Sequence, residues 1–450
     1  MTSSNQNRAA NRDFVGARVV DPSLKLDAVR TIVVRKGIVA ALLEDAPANP
    51  DPDAERIDCG GMVLCPGFID PHVHLREPGD SQKETLLTGL AAAAAGGFTA
   101  IAAMPNTRPP LDNPELIKRL HDDAAALGGP RCYPIGAVTM GRDGQRIAAL
   151  RGMAAAGAVA FSDDGAATGS LKALYNAARS IADLPHPFLS HCDDHSFSGA
   201  LMHEGIVSDR LGIPGTPPVS EAAIAARDLM VAQATSKAWH LCHVSTAQTI
   251  GVLRWAKTQG VRATAEATPH HLQCTDELLL GFNARWRVNP PLRSAEDTAA
   301  VRQAVIEGLI TIFASDHAPH TEAEKEPPLS HACVGFSGLE TAVGATFYAL
   351  PEVALPTMIA NFSTNVATML GVPGGTLAPG APADITGLYL QRPWVVDPKR
   401  FHSKGRVTPF EGTSFTVKPA LMVVGGEIVM RDGEVRGERL AAALPGLAIS

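Results

Sequence analysis

Four imidazoles and a set of carboxylates in this chain have the donor chemistry of a divalent metal centre: His72, His74, His191, His243, Asp316 and the adjacent pair Asp163-Asp164. Histidine nitrogen and carboxylate oxygen are the groups that hold a borderline ion such as Zn²⁺. His72-Val73-His74 closes an apolar run, and a spacing of two in an extended segment puts both rings on one face. His191 (in FLSHCDD) and His243 (in WHLCHVST) each close a further run. His195 and His240 lack that placement and read as solvent-facing or supporting groups. Asp316 ends the apolar stretch of FASDHAPH, where a buried carboxylate is costly unless it is paired or bound to a cation. It could also cap a following helix. An acid beside cation-activated water is what hydrolysis requires, so Asp316 reads as both ligand and proton carrier. Asp163 and Asp164 repel each other, so at least one needs a cation or a donor, and spacing does not choose between them.

Around these groups stand residues suited to an anionic substrate. Arg76 offers a planar fork matched to a carboxylate, and Asn106 in MPNT adds amide donors. His320, in the same loop as Asp316, is placed to touch substrate, and Asn289 and the Val334-Gly335 turn could close the pocket through backbone groups.

Groups so distant in sequence meet only if the elements beneath them are arranged in parallel. Eight short apolar runs, at residues 67–74, 98–104, 131–138, 158–163, 187–192, 238–244, 261–268 and 310–316, alternate with longer segments. Of these, residues 114–127, 145–156, 171–184, 220–235, 247–260 and 295–308 carry helical periodicity. This repeat predicts an α/β fold, a (β/α)8 TIM barrel whose functional groups gather at the C-terminal rim. The ends of successive runs are His72 and His74, Asn106, Asp164, His191, His243, His270 and Asp316. The flanks are β-like and Gly-punctuated, and predict a small β-sandwich built from both termini. The expected division is a disordered tail at 1–14, a composite β domain from 15–66 and 376–450, and a catalytic barrel at 67–375. The Glu/Lys cluster with two prolines at 322–328 predicts a mobile loop.

Composition narrows the class. The chain has 450 residues and a net charge of 39 − 46 = −7, without long basic runs, which argues against nucleic acid or an anionic membrane as partner. With 45% apolar and 19% charged residues it reads as globular. Seven cysteines form no CxxC pair, so a disulfide framework and a Cys-rich zinc site are both unexpected. The polar N-terminus shows no export signal, and a cytoplasmic location is expected.

In order along the chain, PGFIDPHVHLREPG, MPNT, AFSDDG, SHCDD, CHVST, EATPHHL, NPPLRS and ASDHAPHTEAEK resemble the amidohydrolase superfamily, and within it the class I bacterial dihydroorotases. The resemblance runs from about residue 60 to 377 and continues more weakly beyond. It implies reversible, zinc-dependent cyclisation of N-carbamoyl-L-aspartate to L-dihydroorotate in de novo pyrimidine biosynthesis. It further implies one or two Zn²⁺ per chain, with His72, His74 and Asp316 on one ion, His191 and His243 on the other, and Asp164 bridging. His74, Arg76, Asn106, Asn289, His320, Val334 and Gly335 would match the substrate contacts. It also points to a homodimer, with aspartate carbamoyltransferase as a candidate partner. Related hydantoinases and allantoinases carry a carboxylated lysine after strand four, whereas AFSDDG has none and Lys172 lies too far along. The alternatives are a cyclic-amide hydrolase of that kind, or a catalytically silent scaffold of aspartate carbamoyltransferase.

Overall fold

The computed structural model describes residues 11–45 and 51–444. Its centre is an eight-stranded parallel sheet, each strand pairing with the next in chain order. The strands are β1 (Phe68–Val73), β2 (Phe98–Ala103), β3 (Arg131–Gly136), β4 (Ala160–Phe161), β5 (Phe188–Ser190), β6 (Trp239–Leu241), β7 (Ala263–Ala267) and β8 (Ile312–Phe313). A parallel bridge between Val73 and His317, with His74 N–H donating to the His317 carbonyl at 2.9 Å, joins the first strand to the segment after the last. Strands covered on both faces need continuous apolar runs, and β1 and β2 are buried at every position.

All eight expected runs form strands, each shorter than its run. Most runs are trimmed at both ends, and at the rim the residues turn outward: after β4, Ser162-Asp163-Asp164 leave the ladder at once. The six expected helices also form, with Pro114–Leu127 matching its whole segment. The segment 145–156 yields only Leu150–Ala155, because Asp143 holds the backbone N–H groups of Gln145 and Arg146 in a turn. Helix starts follow capping chemistry, with side-chain caps at Thr85, Asn113, Ser170, Thr246 and Ser294. Helices Leu86–Ala95, Leu339–Ala349, Leu355–Phe362 and Thr364–Leu370 were not among the expected segments. The first of these packs tightly enough that a Cβ on Gly96 would meet the Leu339 carbonyl oxygen at 2.3 Å.

A second sheet, nine-stranded among the described residues, draws on both ends of the chain. Val63–Pro66 pairs antiparallel with Ile385–Tyr389, which joins the N-terminal and C-terminal strands. Val39 N–H donates to the Ala381 carbonyl at 2.9 Å, turning the sheet back on itself around a core that includes Phe14, Ile32, Leu64, Ile385 and Leu421. Arg131 at the start of β3 forks onto both oxygens of Asp384, at 3.0 Å each, tying the barrel to this sheet.

Three expectations are corrected. The strand Arg12–Asp21 begins inside the stretch expected to be a disordered tail, while residues 1–10 of that stretch lie outside the described residues. Within 376–450, Val396, Phe401, Val407, Phe410 and Phe415 pack against Val288, Leu292 and Phe336 beside the barrel mouth rather than in the β-sheet core. The segment at 322–328 contains a helical turn, Glu322–Lys325, and Lys325 is buried with Nζ donating to the carbonyls of Arg287 (2.9 Å) and Cys333 (2.8 Å). Ammonium donation to backbone carbonyls compensates for the burial of Lys325 there. Among the described residues no helix is long and apolar enough to cross a membrane.

Candidate active site

At the C-terminal rim the strand ends bring the expected donors together. His72 Nε2 lies 3.4 Å from Asp164 Oδ1 and 3.6 Å from Asp316 Oδ1, and His74 Nε2 lies 3.5 Å from Asp164 Oδ2 and 3.3 Å from Asp316 Oδ1. His191 Nδ1 is 3.4 Å from Asp164 Oδ1, and His243 Nε2 is 3.9 Å from the same oxygen. All six side chains are buried. Asp163 faces away, accepting from Thr139 N–H (3.0 Å), Thr139 Oγ1 (2.8 Å) and Thr168 Oγ1 (3.0 Å). The ambiguity left by spacing is therefore resolved in position: Asp164 is central and Asp163 braces the loop.

The donor set fits a divalent cation. Two ligand atoms about 2.0–2.1 Å from one tetrahedral ion are about 3.3–3.4 Å apart, close to the separations among His72, His74, Asp164 and Asp316. His72 Nε2, Asp164 Oδ1 and His243 Nδ1 are buried without any hydrogen-bond partner. The ring tautomers suit ligation too. His72 Nδ1 lies 2.7 Å from Glu266 Oε1 and His74 Nδ1 lies 2.8 Å from Asn106 Oδ1, so each ring donates through Nδ1 and turns Nε2, the atom a cation would take, toward the carboxylates. His191 and His243 are closer, with Nδ1 and Nε2 at 2.9 Å, tighter than two ligands of one ion.

Electrostatics follow from this crowding. Burial opposes ionisation of Asp164, but His72 and His191 outweigh it and hold the carboxyl well below the usual range. Burial likewise opposes ionisation of Asp316, and His74, His72 and His243 pull it down. Burial disfavours an imidazolium at His72, yet Asp164 and Glu266 raise its pKa well above the ordinary value. His243 is pushed down to about 3 by burial and by His191 and His72.

The residues expected at the substrate line one cavity of about 100 Å³: His74, Arg76, Asn106, Asn289, Val334 and Gly335 share its walls with Asp164, His191, His243 and Asp316. His320 stands behind Arg76, its Nε2 3.3 Å from Arg76 Nη2 and 2.8 Å from the Val334 carbonyl. Gly335 N–H is already donated to the Arg287 carbonyl at 3.0 Å. With φ of +112° and a notional Cβ 2.6 Å from Ala318 Cβ, that position tolerates only glycine. Asn289 Nδ2 lies 3.1 Å from His191 Nε2 and 3.0 Å from Asp193 Oδ2.

Sequence reasoning missed three supports. Glu266 on β7 is fully buried and links His72 to His240, whose Nε2 is 2.9 Å from Oε2, so His240 is a buried brace rather than a solvent-facing group. Its signal was present: a lone acid inside an apolar strand. Asp70 accepts from the backbone N–H of His72 and Ser315, fastening β1 to the segment that carries Asp316. Glu221 receives Ser245 N–H (3.0 Å), Thr246 N–H (3.3 Å) and Arg293 Nη2 (3.4 Å), fixing the loop after His243. Because that pair is buried, Glu221→Ala leaves Arg293 uncompensated and should lower stability by about 3–5 kcal/mol in denaturant titration. A loss below about 1 kcal/mol would show the pair to be dispensable.

The solved L-hydantoinase of Arthrobacter aurescens superposes with a TM-score of 0.84 at 24% identity, covering 96% of this chain and 98% of that one. The dihydropyrimidinase of Brevibacillus agri gives 0.83 at 21%, covering 96% and 97%. At such identities the likeness shows the fold alone. Fold and site together define a (β/α)8 barrel with a donor cluster suited to a divalent cation at its mouth. The family described as Dihydro-orotase-like matches residues 61–249. Dihydroorotase of Pelotomaculum thermopropionicum is 44% identical over 427 residues, 94% of this chain and 99% of that protein. Those of Syntrophus aciditrophicus (40%; 93% and 98%) and Bacillus caldolyticus (40%; 89% and 95%) align similarly. The chain belongs to the dihydroorotase family.

Proposed function

We propose that this chain interconverts N-carbamoyl-L-aspartate and L-dihydroorotate, the ring-closing step of pyrimidine synthesis, using zinc at the barrel mouth. The observation that carries the reading is the spacing of His72, His74, Asp164 and Asp316, which matches ligands of a common ion. Those four would hold one Zn²⁺. His191 and His243, with Asp164 between the two groups, would hold a second once their rings part. When bound, the cation supplies Lewis acidity toward a carbonyl oxygen and toward water.

The remaining work falls to the chain's own groups. Arg76 presents its guanidinium to the substrate carboxylate, and its placement is fixed by Nε donating to the Pro319 carbonyl at 3.2 Å. Asn106 spends its oxygen on His74, which leaves its amide N–H groups to the substrate. Together they fix the ring in register for reaction. In the hydrolytic direction Asp316 accepts a proton from the attacking water and returns it to the ring nitrogen as the amide bond breaks. In synthesis it moves the proton the opposite way and water departs. Burial excludes bulk water from this exchange.

Arg76→Met should raise KM for N-carbamoyl-L-aspartate by about 10–100-fold, with kcat changed far less, because a charge-assisted contact is worth about 1.5–3 kcal/mol. An unchanged KM would remove Arg76 from substrate recognition. A silent scaffold has no use for a donor set this complete. The reading is tested by assaying both substrates against a hydantoin and allantoin panel: turnover confined to the latter would replace it. We extend the same reading to a catalytic barrel beside a composite β domain, a cytoplasmic location consistent with seven unpaired cysteines, a homodimer, and aspartate carbamoyltransferase as partner.

A further inference from the structure

Outside the strand-end cluster, the loop that follows Asp316 gathers three further ligand types. Ligating atoms of His320, Glu324 and Cys333 all lie within 4.8 Å of one another. His320 faces two ways. Its Nε2 is 2.8 Å from the Val334 carbonyl, which can only accept, and 3.3 Å from Arg76 Nη2, which can only donate; the shorter contact puts the proton on Nε2 and the lone pair on Nδ1. Nδ1 is buried without a hydrogen-bond partner and faces Glu324 Oε2 at 3.5 Å, a bare lone pair against a carboxylate. A second proton would relieve that contact, but burial and then Arg76, Lys83 and Lys325 all disfavour an imidazolium there.

The other two donors are held in place. Glu324 Oε2 accepts from Thr321 N–H and Oγ1 at 3.0 Å each, and Oε1 pairs with Lys83 at 3.1 Å. Cys333 N–H donates to the Glu324 carbonyl at 3.0 Å, and its own carbonyl accepts from Lys325. The helical turn Glu322–Lys325 therefore presents Glu324 and carries Cys333 against it.

We propose that His320 Nδ1, Glu324 and Cys333 Sγ form a separate binding site for one thiophilic divalent cation of the zinc type, which clips the loop at 321–335 to the wall of the substrate pocket. Nitrogen, carboxylate and sulfur together select zinc over magnesium or calcium. A thiolate and a carboxylate neutralise a dication, which matters beside Arg76, Lys83 and Lys325. Binding exchanges the Cys333 thiol proton for the metal and releases that proton to solvent. Because His320 backs Arg76 and meets the Val334 carbonyl, and Arg76 and Val334 line the pocket, occupancy fixes the wall in the arrangement seen here.

The test reads Cys333 directly and does not depend on which reaction the barrel performs. The other six cysteines are buried, so Cys333 is the accessible target for iodoacetamide on the folded holoprotein. With zinc about tenfold above its Kd, alkylation of Cys333, followed by peptide mass, should slow about tenfold, and magnesium at the same concentration should leave it unchanged. Cys333→Ser, with unaltered turnover in the absence of added zinc, should bind one equivalent less than the wild type, and Glu324→Gln should lose the protection. Alkylation indifferent to zinc, equal slowing by magnesium, or equal zinc content in wild type and Cys333→Ser would each overturn the proposal.

Discussion

Replacing Asp316 by Asn is expected to lower kcat by about 10²–10⁴-fold, the range a positioned general base or acid supplies. The side chain keeps its shape and one oxygen, so it can still approach His74 and His72, which lie 3.3 and 3.6 Å from Oδ1 in the native protein. What it loses is the capacity to take a proton. Asp316 is held in its ionised form by His74, His72 and His243 against the effect of burial, so it is poised as an acceptor at neutral pH. KM should move little, because Arg76 and Asn106 are untouched. Measuring bound metal on the same variant separates proton transfer from ligation: slow turnover with metal retained assigns the loss to the proton. Turnover within tenfold of the native rate would remove Asp316 from that role.

Asp164→Ala should have a comparable effect by a different route. Its carboxylate is the one group within 4 Å of all four histidines of the cluster, so its removal leaves their lone pairs facing one another. Metal affinity should fall by more than about 100-fold, since even partners one step behind a ligand are worth about 10–100-fold. Turnover should fall with it. Asp163→Ala provides the contrast: it removes the hydrogen bonds to Thr139 and Thr168, so it should cost stability more than metal. Metal affinity within tenfold of native for Asp164→Ala, or a deeper metal loss for Asp163→Ala, would reverse the assignment.

The barrel was legible because its strands are buried on both faces and its helices carry caps and stops, signals that are local in the chain. The donors were legible because they close those same strands. Other features depend on contacts between distant segments. Arg76, His243 and Asp316 take φ of 62°, 33° and 48°, left-handed backbone that side-chain type does not announce and that surrounding structure must impose. Asp164 could not be told from Asp163 because β4 is only two residues long and a turn reorients both. Glu266 was overlooked since a carboxylate inside a strand discloses its partners only when β1 and β6 are brought alongside. The apolar residues between 394 and 415 read as sheet, yet the barrel mouth offered them a different core.

On the proposed reading, the six strand-end groups hold divalent ions on which ring closure depends. The most direct measurement follows N-carbamoyl-L-aspartate cyclisation by dihydroorotate absorbance while zinc is quantified on the same sample, through chelation and restoration. Turnover should fall and return in proportion to bound zinc. Protein stripped of metal that still closes the ring at the untreated rate would contradict the account.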